Sequence, residues 1–210
     1  MKFSHVTVCD HPFVQDSLSH LRDRTTKRKK FREHSDRICY LLFAEAIRGL
    51  TFKNETIMTP LCETVAPKLA DEVIVVPVLR SGIAMLFGAM QLLPKSKIGF
   101  VGMARDEETA QANEYYWKLP KITRQSVVIV TDPMLATGGS ILHVLRRVAQ
   151  EKAKEIRVVS VVSAPEGLDA IEKEFPQVKV FTASIDQGLN EHKYIVPGLG
   201  DYGDRYFGTD

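Results

Sequence analysis

Five short runs of mostly β-branched and aliphatic residues recur along the chain: Val73 to Leu79, Ile98 to Met103, Val127 to Thr131, Arg157 to Val162 and Lys179 to Ala183. Each is bounded by turn residues, which marks it as a buried strand. Between them lie Ile83 to Leu93, Ser140 to Lys152 and Gly167 to Glu174, stretches with the length and composition of helices. Parallel neighbours can be joined only through a crossover, so this alternation predicts an α/β fold, a parallel sheet covered by helices on both faces.

The N-terminal quarter reads differently. Pro12 to Arg24 and Lys27 to Arg48 are predicted helices; Phe31, Ile38, Leu41, Leu42 and Ile47 fall near one face of the second, and Gly49 suits its C-terminal cap. These form an arm packed on the main body. Arg105 to Pro120 is polar and aromatic, joins two strands without an apolar helical face, and reads as a lid. Asn190 to Asp210, rich in glycine and tyrosine, reads as an irregular, ordered loop. With no repeat and no linker, 210 residues are expected to make one domain: an arm at about 1–50, a core at about 51–189 and a C-terminal segment at about 190–210.

Charge and composition exclude several classes. The apolar runs fall far short of the roughly 18 residues a membrane span needs, and Met1 to Asp10 has no signal-peptide core, so a cytoplasmic, membrane-free protein is expected. Cys9, Cys39 and Cys62 are widely spaced, which indicates reduced thiols rather than a disulfide frame or a zinc site. Arg22 to Arg37 holds eight basic and three acidic residues against a net charge of +2 for the whole chain, so the positive charge is local. A solvated helix face, a contact for another subunit or an anionic effector, and a nucleic-acid contact are three readings of that window.

Val127 to Thr131 leads into Asp132-Pro133-Met134-Leu135-Ala136-Thr137-Gly138-Gly139-Ser140 and then a helix. A strand thus ends in a carboxylate, a Thr-Gly-Gly-Ser turn follows, and a helix N-terminus comes next. Ligands of parallel sheets bind at the carboxyl ends of strands, and a helix N-terminus offers free N–H groups and partial positive charge to an anion. A phosphate fits there, with Gly138 and Gly139 allowing close approach and the Thr137 and Ser140 hydroxyls adding donors. Asp132 can accept hydrogen bonds from two vicinal hydroxyls, as on a ribose. The turn lacks the Gly-Lys-Ser/Thr ending of a Walker loop. Gly198-Leu-Gly-Asp-Tyr-Gly203 spells a dinucleotide fingerprint, but only seven residues follow it, so the context such a site needs is missing.

Together with Tyr194-Ile-Val-Pro-Gly-Leu-Gly-Asp-Tyr-Gly-Asp204, the 132–140 segment resembles the signature segments of the uracil phosphoribosyltransferases. The resemblance extends to Leu79-Arg-Ser-Gly82, Arg105-Asp-Glu-Glu-Thr109 and Thr182 to His192, and so covers most of the chain. It implies the type I phosphoribosyltransferase fold, with the N-terminal arm and a C-terminal base-binding hood. It implies transfer of ribose 5-phosphate from phosphoribosyl pyrophosphate to N1 of uracil, giving UMP and pyrophosphate in pyrimidine salvage. By resemblance, residues 132 to 140 hold the ribose hydroxyls and 5-phosphate, and Arg80 and Arg105 bind the donor, where guanidinium groups suit a departing pyrophosphate. Ile195, Gly200, Asp201 and Tyr202 occupy the uracil-contacting positions, and Asp201 also reaches the donor's ribose. Arg80, Arg105, Asp132 and Asp201 form the expected catalytic set. Mg²⁺ is expected on the donor, without a protein cage. The resemblance also implies a homodimer or higher homo-oligomer, and GTP as an activator acting through the basic N-terminal region.

Purine-specific relatives usually carry two adjacent acids at this strand tip and another before the Thr-Gly; Thr131 and Ala136 stand there instead, which leaves no carboxylate base for a purine. Catalysis is then expected to rest on positioning and charge stabilisation as the sugar gains oxocarbenium character. Without the resemblance, Arg80 reads as a surface ion pair and Arg105 as a local bridge to Asp106 or Glu108. Tyr115, Tyr116 and Trp117 read as lid or interface packing, His192 as a solvated loop residue, and Asp186 and Asn190 as turn formers. An RNA-binding regulator is the rival from another class, and the single basic window speaks against it.

Overall fold

The computed structural model describes residues 3–105 and 112–209, with the backbone alone at Arg105 and Ala112. The predicted strands become β4 (Glu72–Leu79), β5 and β6 (Lys97–Ile98, Phe100–Arg105), β8 (Ser126–Thr131), β10 (Glu155–Ser163) and β11 (Lys179–Ile185). The predicted helices become α3 (Ile83–Leu92), α4 (Gly139–Val148) and α5 (Pro165–Glu174), and the arm becomes α1 (Pro12–Arg22) and α2 (Arg28–Ala46). Two strands not foreseen complete the edges: β1 (Val6–Val8) pairs parallel with β11, and β7 (Ala112–Lys118) pairs antiparallel with β6. The sheet runs β1-β11-β10-β8-β4-β6-β7, with the two-residue β9 (Met134–Leu135) on β10.

Period-two alternation explains the layers. Val73, Val75, Val127 and Ile129 face a cluster formed with α1, α2, α3 and the C-terminal segment. Ile74, Val76, Val128 and Val130 face the opposite cluster under α4 and α5. Each strand is therefore apolar on both sides, as a strand between two helical layers must be. Arg157, 2% exposed, donates to the Ala46 and Arg48 carbonyls and to Glu155, tying the C-terminal end of α2 to β10.

Three expectations need correction. Arg105 to Pro120 is not a strand-free lid, since residues 112 to 118 extend the sheet; Trp117 lies under the Arg147 guanidinium at 3.8 Å and packs on the α4 side. Asp106, Glu107 and Glu108, with the Arg105 side chain, lie outside the described residues. Phe52–Met58 (β2) and Glu63–Leu69 (β3) form a separate antiparallel hairpin, for which the sequence reading had no element. The C-terminal segment is not wholly irregular: after Gly188–Leu189 (β12), Ile195–Val196 (β13) pairs back onto it, and Tyr202–Phe207 (α6) forms a short helix. No helix among the described residues is long and apolar enough to cross a membrane.

Candidate functional site

The chain leaves β4 for β6 on one side, then returns for β8 on the other side of β4. The gap this reversal opens beyond the carboxyl ends of β4 and β8 is where an open α/β sheet takes its ligand. Register brings Pro77 beside Thr131, so the two following loops, Arg80-Ser81 and Asp132, meet across the gap. The Ser81 hydroxyl donates to Asp132 Oδ1 at 3.3 Å, and the Met134 N–H reaches the same oxygen at 3.3 Å. Burial pushes the Asp132 carboxyl up to about 6, further raised by the Asp201 carboxylate and opposed by the Met134 and Ser81 donors. Both of these donors go to Oδ1 and are long, so the carboxylate keeps acceptor capacity that a ligand bringing hydroxyl groups would use.

Thr137 to Ser140 wraps the start of α4. Gly138 has φ +81°, and a side chain there would meet the Gly167 carbonyl at 3.3 Å, so the turn needs glycine. Thr137 and Gly139 are exposed, which leaves the N-terminal donors of α4 open to an anion. One cavity of about 250 Å³ is lined by this turn, by Asp132 and Ser81 on its floor, and by Ile195, Gly200, Asp201 and Tyr202 of the C-terminal segment. Met134, Leu135 and Ala136 line it too, whereas Pro133 lies behind it, its carbonyl accepting from Val161 and Val162.

Arg80 stands outside this lining. Its side chain is 66% exposed and 3.5 Å from Asp204, across a cis Leu79-Arg80 peptide. Ser81 and Lys193 line the cavity and were not singled out from sequence; Ser81 sits inside Leu79-Arg-Ser-Gly82, where only the charged residue drew notice. Tyr202 lines the cavity as well, while its phenol hydroxyl bonds Ser35 of the arm at 2.6 Å in a residue only 1% exposed, which leaves its backbone to face a ligand.

The C-terminal segment is held from behind. Arg22 donates to both Asp186 oxygens at 2.8 and 2.5 Å and to the Gly198 carbonyl at 2.7 Å, while the Gly198 N–H donates to Asp186 at 3.0 Å. Arg205 reaches the Leu21, Asp23 and Leu199 carbonyls, and Asp201 caps α6 by accepting from Asp204 N–H at 2.9 Å. Asn190 shapes the preceding turn as expected, accepting from His192 and Tyr194 N–H groups, and His192 is solvated. Among the described lining residues the metal-binding side chains are the carboxylates of Asp132 and Asp201, with no histidine or cysteine. That all-oxygen set fits a hard cation such as Mg²⁺ shared with a ligand's own oxygens.

An open, mainly parallel sheet with a helix N-terminus and a strand-tip carboxylate meeting at its switch point is the architecture of the type I phosphoribosyltransferases. In fold the chain matches a hypoxanthine phosphoribosyltransferase from Trypanosoma cruzi, with TM-score 0.50 and 9% identity over 78% of this chain and 71% of that one. It is far more similar to the AQ2163 protein from Aquifex aeolicus, with TM-score 0.93 and 33% identity over 98% and 99% of the two chains. Uracil phosphoribosyltransferase from Streptococcus pneumoniae is 47% identical over 205 residues, covering 97% of this chain and 98% of that one. The sequence profile of the family described as "Uracil phosphoribosyltransferase" matches residues 8–209, and the chain belongs to that family.

Proposed function

We propose that the chain, acting as one domain over 1–210, transfers the 5-phosphoribosyl group of phosphoribosyl pyrophosphate to N1 of uracil, giving UMP and pyrophosphate. The observation that carries this reading is the single cavity in which the 137–140 cradle faces Ile195, Gly200 and Asp201. The Thr137 to Ser140 donors hold the 5-phosphate, and Asp132 accepts from the ribose hydroxyls. Arg80, in the loop that also carries Ser81, and Arg105 take the departing pyrophosphate, so that charge is neutralised as the sugar becomes cationic. Asp201, opposite Asp132, adds negative charge beside that developing cation. The backbone around Ile195, Gly200, Asp201 and Tyr202 reads uracil, whose two carbonyls and one N–H complement peptide groups; an amino group on the base would face a buried donor.

Asp132 and Asp201 are the residues that would border a Mg²⁺ arriving with the donor, and such an ion would supply charge neutralisation to the leaving group. GTP fits as an activator: a cavity of about 400 Å³ lined by Arg22, Arg24, Arg28 and Arg205, with Asp204, adjoins Gly200, and its net positive charge suits a polyphosphate. Self-association is favoured by the β2–β3 hairpin, which exposes Phe52, Met58, Leu61, Val65 and Leu69. The setting is cytoplasmic salvage.

The assay is UMP formation from radiolabelled uracil, donor and Mg²⁺, beside cytosine, hypoxanthine and orotate, each with and without GTP. Product from uracil alone is expected, with at least about 10⁴-fold discrimination against cytosine because a site built to pair polar groups rejects their mismatch. No product from any base sinks the reading; equal rates with and without GTP remove the activator. A second check uses pH. Because burial pushes the Asp132 carboxyl up to about 6, donor affinity is expected to fall as pH drops through that region and the carboxylate's acceptor capacity is lost. Flat donor affinity from pH 8 to 5 would exclude Asp132 as the ribose acceptor.

A further inference from the structure

We propose that Asp16 and His20 of α1 and His34 of α2 form a binding site for a divalent transition-metal ion of the zinc type, which clamps the two helices of the arm. One ligand atom from each residue lies within 4.8 Å of the others. Asp16 and His20 stand four apart and so share a helix face, and α2 brings His34 against them with the two imidazole rings stacked at 4.0 Å; because ring lone pairs lie in the ring plane, the exposed His20 ring turns toward Asp16 to share an ion with His34. None of the three lines the catalytic cavity, and none is used by the transfer reaction.

The chemistry of the set selects its ion. Two imidazoles and one carboxylate suit Zn²⁺, Co²⁺ or Ni²⁺ and disfavour Mg²⁺, which requires oxygen ligands. Three protein ligands leave a position for water. His34 Nδ1 lies 3.4 Å from the Ser17 hydroxyl, the kind of outer partner that orients a ligating imidazole and leaves Nε2 to offer. The competing cation is Arg37, 3.7 Å from Asp16 Oδ2. Both side chains are about half exposed, and such a pair is weak enough for a bound ion to displace. The clamp acts on the helix that ends at Arg22, and therefore on the strut behind Gly198.

The test uses the full chain stripped with a chelator and titrated with Zn²⁺ or Co²⁺ in the absence of substrates. One ion per chain is expected, with visible Co²⁺ absorption of a low-coordinate site. A rise in Tm of roughly 5–10 °C is expected at a metal concentration about 100-fold above Kd. His20→Ala, at an exposed position that folding tolerates, should abolish both signals, and Asp16→Asn should weaken binding at least tenfold. Absence of saturable binding, or binding unchanged in His20→Ala, overturns the site. Neither readout depends on transferase activity, so the proposal and the reading of the catalytic cleft fail separately.

Discussion

Asp132→Asn is expected to lower kcat/KM for the donor by about 10³-fold while raising Tm at pH 8. In the proposed ribose contact the substitution replaces a charged acceptor of two hydroxyl hydrogen bonds, each worth about 1.5–3 kcal/mol, by an amide that accepts one and presents a donor to the other. The stability gain follows from linkage. Burial and Asp201 raise the folded carboxyl from 3.8 to about 6, so the stability this group contributes is present below pH 3.8 and lost as pH rises through 6. At pH 8 the ionised group is therefore a cost, on the order of 2 kcal/mol, which asparagine removes. Thermal melts and donor kinetics on the same preparations check both parts. A variant that melts lower than the parent at pH 8, or retains more than a tenth of its activity, contradicts the assignment.

Arg22→Ala should produce the opposite pattern, a large loss of stability with the phosphate cradle left intact. The Asp186 side chain is 1% exposed and its principal cationic partner is Arg22. Burial pushes that carboxyl up, but hydrogen bonds from Arg22 and Ser184, the Arg22 charge and the Gly198 N–H outweigh it and hold it below its ordinary range. Removing one member of such a pair costs about 3–5 kcal/mol, a drop in Tm of roughly 10 °C for a chain of this size. Because the folded carboxyl is depressed, the contribution is present above its unfolded value near 4 and lost as pH falls, so the two melting curves should converge in acid. Uracil KM should rise at least tenfold and donor KM much less, since Arg22 touches Gly198 and not the 137–140 turn. Adding Asp186→Asn should recover part of the Tm and none of the uracil KM. Unchanged uracil KM in Arg22→Ala would show that the strut does not govern the base half of the cleft.

What was legible in the sequence follows what was buried. The central strands are apolar on both faces and their runs read directly, because no polar residue interrupts them. The cradle read directly too, since glycine at a positive φ and a carboxylate at a strand tip are chemical requirements and leave letters behind. The β2–β3 hairpin did not, because most of its positions are exposed and no buried face imposes an alternation to detect. β7 was taken for a lid for a related reason: its Tyr115 and Tyr116 point to solvent at 57% and 44% exposure, and only pairing with β6 makes it a strand. β1 is three residues at an edge, too short to announce itself. The side-chain partner of Tyr202 was not legible either. The backbone stays at the cavity, but a large side chain has found Ser35 on α2, a partner 167 residues away that local sequence cannot reveal.

The strut from Arg22 to Gly198 spans 176 residues, and Arg205 reaches back 184 residues to Leu21. During synthesis α1 precedes the residues around Gly198 and Arg205 that hold it, while the turn between β8 and α4 can form before them. The contacts behind the C-terminal segment can therefore close only after the turn that opens α4 is in place.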